Sequence, residues 1–367
     1  MVKHQPKYNE VFSIDNLYES AKKCYKGVGW KGTVQHYRNH QFTNIVRTYN
    51  EVMNHKFKSG QFFKFTIMER GKLRYIQSVG ITERVVQRCF CDNLLVPLLS
   101  NKFIYDSAAC IKEKGMHFAI KRMKMFLVAF YKQFKTNRGY ILQYDFHHYF
   151  DTIPHGKLIQ KLTKVIEDKE NLQMVTKLIN DFEGETGIGL GSQISQICAL
   201  FYPNKIDHLF YRDGSLFSYI RYMDDGAMIS NDKNKLKKCR DILQQLVDEL
   251  DIELNLKKTT ITKLSRGFVF LKARIKMLEN GKIITISNSK NMKKNKRKLY
   301  IYREKLDKGL ITFEEIKNIY KSTFAGMKFY DNYKQRKSYK DLFFKLFQKE
   351  LNHDPERISL LKRHKFS

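Results

Sequence analysis

The chain has 367 residues, of which 68 are Lys or Arg and 37 are Asp or Glu, giving a net charge of +31. So large an excess, spread along the chain, points to a surface that tracks a polyanion and argues against a single basic tail. No apolar run approaches the roughly 18–20 residues of a membrane span, and no signal-peptide pattern opens the chain, so a membrane role is not expected. The six cysteines form no CxxC pair and read as reduced thiols of a cytoplasmic protein, which excludes a disulfide frame. An apolar fraction of 42% with 27 Phe and 21 Tyr supports a substantial core, and the length suggests two or three packed subdomains.

In chain order, residues 1–60 mix basic and aromatic side chains, with short helices expected near 14–26 and 42–56. Phe62 to Ile76 alternates apolar and polar residues around Arg70-Gly71-Lys72, the pattern of a β-hairpin with a basic tip. Lys72 and Arg74 there suit triphosphate oxygens, although a solvated basic loop has the same composition. Thr82 reads as an N-cap, followed at helical spacing by Val85, Val86, Cys89, Phe90 and Leu94 up to Pro97. A helix over Met116 to Phe134 follows, then a strand, Tyr140 to Tyr144, that ends at Asp145. His147 and His148 have no partner at ligand spacing and read as polar or backbone-contacting residues.

From Pro154 the spacing of Leu158, Ile159, Leu162, Val165 and Ile166 predicts another helix. The glycine-rich stretch Gly184 to Gly191 opens a helix whose stripe is Ile194, Ile197, Cys198 and Phe201, and Pro203 kinks it or ends its regular part. Tyr219 to Ile229 reads as strand, tight turn, strand, with Gly226 easing the turn. Residues 233–250 form an amphipathic helix with Leu236, Cys239, Ile242, Leu243, Leu246 and Leu250 on its apolar side. Beyond residue 276 the chain reads as basic and helical. Lys290, Lys293, Lys294, Lys296, Arg297 and Lys298 favour phosphate contact there over a merely solvated face. The whole is α+β, built around a small antiparallel sheet.

Asp224 and Asp225 sit at the hairpin tip and cannot both enter an apolar core, because burying unpaired charge costs too much. With Asp145 they make three carboxylates on neighbouring strand ends. That hard-oxygen set suits Mg²⁺, which keeps waters and takes further oxygens from substrate phosphates. Two such ions support in-line displacement at phosphorus, the chemistry of nucleotidyl transfer. An isolated Asp-Asp is usually turn chemistry; the third acid, the glycine-rich loop and the charge argue otherwise here. Phe150, otherwise a core aromatic, could lie under a sugar and exclude a 2′-hydroxyl.

Several ordered motifs over roughly residues 65–275 carry a family resemblance. They run through Arg70-Gly71-Lys72-Leu73-Arg74, Thr82 to Gln87, Asp106 to Cys110 with Gly115 and His117, and Tyr144-Asp145-Phe146 through Phe150 to His155. They continue with Arg221-Tyr222-Met223-Asp224-Asp225, Leu254 to Thr259, and Phe270-Leu271, where Lys272 stands in place of the usual glycine. In these the chain resembles bacterial reverse transcriptases of the group II intron, retron and diversity-generating-retroelement lineage. The resemblance implies a right-hand polymerase, with an N-terminal helical extension at 1–60 and fingers at 61–140. A palm with a fingers insertion would follow at 141–275, then a basic helical thumb at 276–367.

It further implies an RNA-directed DNA polymerase using two Mg²⁺ ions, with Asp145, Asp224 and Asp225 as catalytic and metal-binding residues. Lys72, Arg74, Phe150, Leu190, Gly191, Gln196 and Lys258 would contact substrate, with Phe150 in the place of the sugar-discriminating aromatic. The implied partners are an RNA template or structured non-coding RNA, the cDNA product and dNTPs, with room for an accessory protein or a homo-oligomer. Leu190 stands where glutamine is commoner, and Gly191-Ser192-Gln193-Ile194-Ser195-Gln196 is most like the defence-associated branch, which implies a dedicated non-coding RNA in phage defence. The alternatives are a diversity-generating enzyme making mutagenic cDNA, and a non-catalytic RNA-binding protein on a polymerase scaffold.

Overall fold

The computed structural model describes residues 5–69, 72–214, 216–287 and 289–354; the side chains of Lys72 and Lys290, both named above, lie outside the described set. The chain forms two units: residues 1–119 with 140–261, and residues 120–139 with 262–367. The organisation is α+β, as the sequence pattern implies. No helix among the described residues is long and apolar enough to cross a membrane. All six thiols are free.

The first unit is built on an antiparallel sheet. β3 (Tyr140–His147) and β5 (Asp225–Ser230) are its centre, flanked by β4 (Ser218–Tyr222) and β6 (Glu253–Leu254), in the order β4-β5-β3-β6. Ile141, Leu142, Tyr144 and Phe146 of β3 are all buried, the continuous pattern expected of a strand covered on both faces. The helix Lys233–Glu249 packs on β3 and β5. Its N-cap Asp232 accepts a hydrogen bond from the Asn234 N–H at 2.8 Å, and Leu236, Cys239, Leu243 and Leu246 are buried. Ile242, expected on the same side, is 41% exposed, because it lies about 90° round the helix from the centre of that stripe.

β1 (Phe62–Glu69) and β2 (Lys72–Val79) form the expected hairpin, in register from Phe62↔Val79 to Glu69↔Lys72. The next helix, Ile81–Phe90, is capped by Gly80 with no side-chain cap bond, not by Thr82. Pro97 does not end the helical path: a π-helical turn, Cys91–Leu95, leads into Val96–Ser100 with Pro97 in its first turn. The wider turn accommodates a residue that has no N–H to donate.

β7 (Thr260–Lys263) carries the chain from the first unit into the second. There β8 (Phe268–Phe270), β9 (Ala273–Met277) and β10 (Ile283–Ser287) make an antiparallel sheet in the order β10-β9-β8. Residues 276–287 are thus largely strand, not the start of a helical segment. Ala273, Ile275 and Met277 alternate with exposed Arg274 and Lys276, a period of two that the basic composition obscured. The β8–β9 turn has both Leu271 and Lys272 at positive φ, 46° and 70°.

Helices Ser289–Asp307, Phe313–Lys328 and Tyr333–Leu346 follow, with a core in which the Tyr320 ring stacks on Phe343 at 3.8 Å. Residues 120–139 belong to this unit. The Leu264 N–H donates to the Gly139 carbonyl at 2.9 Å, and a side chain on Gly281 would collide with the Tyr131 ring. On the helix Ser289–Asp307, Met292 and Leu299 face the core. Lys293, Lys294, Arg297 and Lys298 are exposed, and half-buried Lys296 donates to Ser338 Oγ at 2.6 Å.

Candidate active site

β3 and β5 run antiparallel with Asp145 directly opposite Asp225. The β4–β5 hairpin closes with Tyr222 opposite Asp225, leaving Met223 and Asp224 as a two-residue turn. The Asp224 carbonyl accepts from the Phe146 N–H at 3.2 Å, so the tip is tied back to the strand carrying Asp145. Met223 takes φ 56°, the left-handed conformation that hairpin turns ordinarily give to Gly or Asn. Gly226 has another role than easing the turn. A side chain there would collide with the Tyr144 ring, so its lack of one lets β3 and β5 close at the residue pair next to the acids.

Asp145 is 5% exposed, and each of its carboxylate oxygens and its backbone carbonyl accepts a hydrogen bond. Lys258 Nζ donates to Oδ2 at 2.7 Å, Asn255 Nδ2 to Oδ1 at 3.1 Å, and the Asn255 N–H to the backbone carbonyl at 2.8 Å. Burial first, then Asp224 and Asp145, push the Asp225 carboxyl up to about 7; a hydrogen bond with Asp145 adds to the shift. Burial and Asp145 also raise Asp224, against the lowering pull of Lys258 and Arg74. Partial burial lowers the Lys258 ammonium, but the bond to Asp145 and the charge of all three acids outweigh it and hold it above its ordinary range.

This is a crowded anionic centre whose own cation is Lys258. Among the described residues no three carboxylate, imidazole or thiolate groups converge to hold a metal by themselves. The acids nevertheless fit a divalent ion that takes its other oxygens from phosphate and water. Two carboxylates in hydrogen-bond contact, one of them resisting ionisation through burial and its acidic neighbours, are what such an ion would relieve.

The structure brings other expected residues near this centre. Arg74, exposed on β2, is close enough to lower the Asp224 carboxyl. The Gln77 N–H of the same strand donates to the Leu190 carbonyl at 3.1 Å, and the Ile188 N–H donates to the Phe150 carbonyl at 2.9 Å. The glycine-rich loop thus ties Phe150 to β2. At Gly191, φ 126°, an added Cβ would lie 3.2 Å from the Gln77 carbonyl oxygen, which fixes a glycine by both conformation and space. Phe150 itself is half-buried against the core. Ser192 caps the helix Gln193–Phe201, accepting from the Ser195 N–H at 3.0 Å. Gln196 is exposed, its side-chain oxygen 3.7 Å from the Cys110 thiol. The exposed basic residues at 293–298 belong to the second unit.

Sequence reasoning passed over Asp207 and gave Arg221 no role of its own. Both side chains are fully buried and joined, Arg221 Nη2 to Asp207 Oδ2, at 2.6 Å. The signal was there: an arginine in an otherwise apolar strand needs a buried acid, and Asp207 lies between Ile206 and Phe210 on the buried face of its helix.

Residues 31–291 match the family model described as reverse transcriptase (RNA-dependent DNA polymerase). Protein YkfC of Escherichia coli (strain K12) is 24% identical over 251 residues, covering 56% of this chain and 64% of YkfC. The chain therefore spans a little under two thirds of that relative's length. Among solved structures, telomerase from Candida albicans in complex with a TWJ fragment of telomeric RNA has a similar fold. It superposes with TM-score 0.51 at 13% identity, over 83% of this chain and 55% of that one. Apo telomerase from Candida tropicalis gives 0.48 at 15% identity, over 60% and 47%. Since the family model spans most of the sequence, including the strand and the hairpin that bear Asp145, Asp224 and Asp225, the chain belongs to the reverse transcriptase (RNA-dependent DNA polymerase) family.

Proposed function

We propose that the protein is an RNA-directed DNA polymerase whose centre is Asp145, Asp224 and Asp225. The observation that carries this reading is the Asp145–Asp225 pair set across β3 and β5, with Asp225 held near 7 by its surroundings. The three acids would hold Mg²⁺. Bound there, Mg²⁺ would activate a primer hydroxyl and steady the oxygen that leaves phosphorus. Lys258 balances the charge of Asp145 in the protein alone and stands ready to meet a phosphate oxygen. Lys72 and Arg74 would receive the dNTP phosphates. Phe150 would lie under the sugar, while Leu190, Gly191 and Gln196 would border the template–nucleotide pair. The exposed Lys293, Lys294, Arg297 and Lys298, with Lys290 and Lys296, would grip the nucleic-acid backbone as part of a thumb.

The Leu190–Gln196 sequence supports a dedicated non-coding RNA and a role in phage defence over the diversity-generating alternative. Primer extension on an RNA template in Mg²⁺ tests the activity. Asp224→Asn and Asp225→Asn should abolish synthesis while RNA binding survives, and near-normal extension by either variant overturns the assignment. Sequencing the nucleic acid that co-purifies with the chain tests the partner: one defined RNA supports the dedicated-RNA reading, and a random mixture refutes it.

A further inference from the structure

Asp207 lies on the helix Asn204–Arg212, wholly buried, and its carboxylate is saturated by side chains from the next strand. Oδ1 accepts from Arg221 Nε at 2.6 Å and from the Tyr219 hydroxyl at 2.7 Å; Oδ2 accepts from Arg221 Nη2 at 2.6 Å. Arg221 is equally buried and commits its other donors to backbone. Nη1 donates to the Met223 carbonyl at 2.6 Å and Nη2 to the Leu200 carbonyl at 2.7 Å. The Tyr219 hydroxyl also meets that of Tyr144 at 2.7 Å, and Tyr144 precedes Asp145. One carboxylate on a helix is therefore linked to β4, to the turn, and to β3.

A buried ion pair is weak evidence for stability, since well-packed apolar residues often do as well or better. What this pair specifies is geometry. The Met223 carbonyl and the Asp224 N–H belong to one rigid, planar peptide. A guanidinium that fixes that carbonyl fixes the plane from which Asp224 projects and on which Asp225 follows. Met223 also occupies φ 56°, a conformation that for a side-chain-bearing residue persists only where the surroundings hold it. Arg221 supplies that hold, and Asp207 orients Arg221 with two parallel bonds.

We propose that Asp207 and Arg221 are a positioning pair, which sets the Met223–Asp224 turn so that Asp224 and Asp225 stand in the arrangement a divalent cation requires. The proposal rests on reading these acids as the polymerase centre. Neither residue touches the reacting atoms; both act through the turn.

The test compares Asp207→Asn, which keeps the shape and removes the charge, with Leu243→Ala, a core cavity in the same unit at a side chain that has no bond to Asp207 or Arg221. Mn²⁺ binding to the full chain, followed by electron paramagnetic resonance, is read beside thermal midpoint, kcat and dNTP KM. Asp207→Asn should weaken Mn²⁺ binding and lower kcat by about tenfold to a hundredfold, with dNTP KM little changed. Leu243→Ala should lose thermal stability and keep the Mn²⁺ affinity of the parent. Equal Mn²⁺ affinities in the two variants overturn the proposal and leave the pair as ordinary core. Should Asp207→Asn not fold, Arg221→Lys gives the same comparison, because an ammonium lacks the planar fork that bonds both Asp207 oxygens while reaching the Met223 carbonyl. A parent chain that binds Mn²⁺ but extends no primer refutes the polymerase reading, while the Mn²⁺ comparison still decides the pair.

Discussion

Lys258 donates a 2.7 Å hydrogen bond to the carboxylate of Asp145, and the two make an ion pair at the edge of the acidic centre. Its ammonium is half exposed whereas Asp145 is buried, so the cation can withdraw into solvent at little cost and the acid cannot. The remaining acids, Asp224 and Asp225, have no such bonded cation among the described side chains and carry raised carboxyls. The electrostatics of the protein alone are therefore unbalanced at Asp225.

That imbalance fixes the sign of a pH effect. An aspartate in the unfolded chain ionises near ~3.9, while Asp225 in the fold ionises at about 7. Between those values the folded state binds a proton that the unfolded state does not, so stability falls as pH rises through the window. In chelator, the thermal midpoint should decline from pH 5 to pH 8. Asp225→Asn should flatten the decline, removing a difference of roughly 2–4 kcal/mol. Differential scanning calorimetry of the two proteins checks this, and parallel curves would refute it.

The β8–β9 turn offers a gain in stability. Leu271 and Lys272 both sit at positive φ where two-residue hairpins prefer Asn-Gly. Lys272→Gly should relieve about 1 kcal/mol of backbone strain and raise the thermal midpoint by a few degrees. Lys272→Ala keeps the strain and should bring no gain. Thermal melts of both variants decide the matter.

Phe150 is held by the loop through the Ile188–Phe150 backbone bond, which any residue at 150 can make. Phe150→Val should therefore fold. If the ring lies under the sugar, the variant should admit ribonucleotides, narrowing the dNTP preference by about tenfold per 1.4 kcal/mol lost. Steady-state incorporation of dNTP against rNTP on one template measures the ratio, and an unchanged ratio returns Phe150 to the core.

Leu190 is anchored through its carbonyl to Gln77, so its side chain can be changed without freeing the loop. Leucine offers the template–nucleotide pair no hydrogen bond. Leu190→Gln should raise fidelity, about fivefold for each ~1 kcal/mol of added discrimination. Deep sequencing of cDNA made by both proteins on one template reads this out, and equal error rates would refute it.

The hairpin at 218–230 and the strand ending in Asp145 were legible because local alternation and turn residues mark them. Their neighbouring strand ends are expected from the sequence, but the register that sets Asp145 directly opposite Asp225 is not, since register between strands distant in sequence leaves no local trace. Asp207 was missed for a related reason: a lone acid in a nine-residue helix looks solvated until its buried partner is found. Gly226 was read as a turn residue, but its constraint comes from the Tyr144 ring on another strand. Residues 276–287 hold only Lys276 and Lys282 as basic residues; the dense cluster at 290–298 lends its basic helical character to the whole segment and masks the strands that precede it.

The interleaving of the two units has a consequence for how the chain is made. Ile120, Met123, Leu127 and Phe130 are completely buried in the finished protein, and the unit they belong to otherwise begins at residue 262. The segments around Leu264 and Gly281 that meet Gly139 and Tyr131 leave the ribosome only after all of residues 140–261. At about 5–20 residues per second that interval is on the order of ten seconds. For that time residues 120–139 wait without the later segments of their own unit that close on Gly139 and Tyr131. Nascent chains halted near residue 261 should accordingly be sticky, and a fragment starting at 262 should lack part of its own interior.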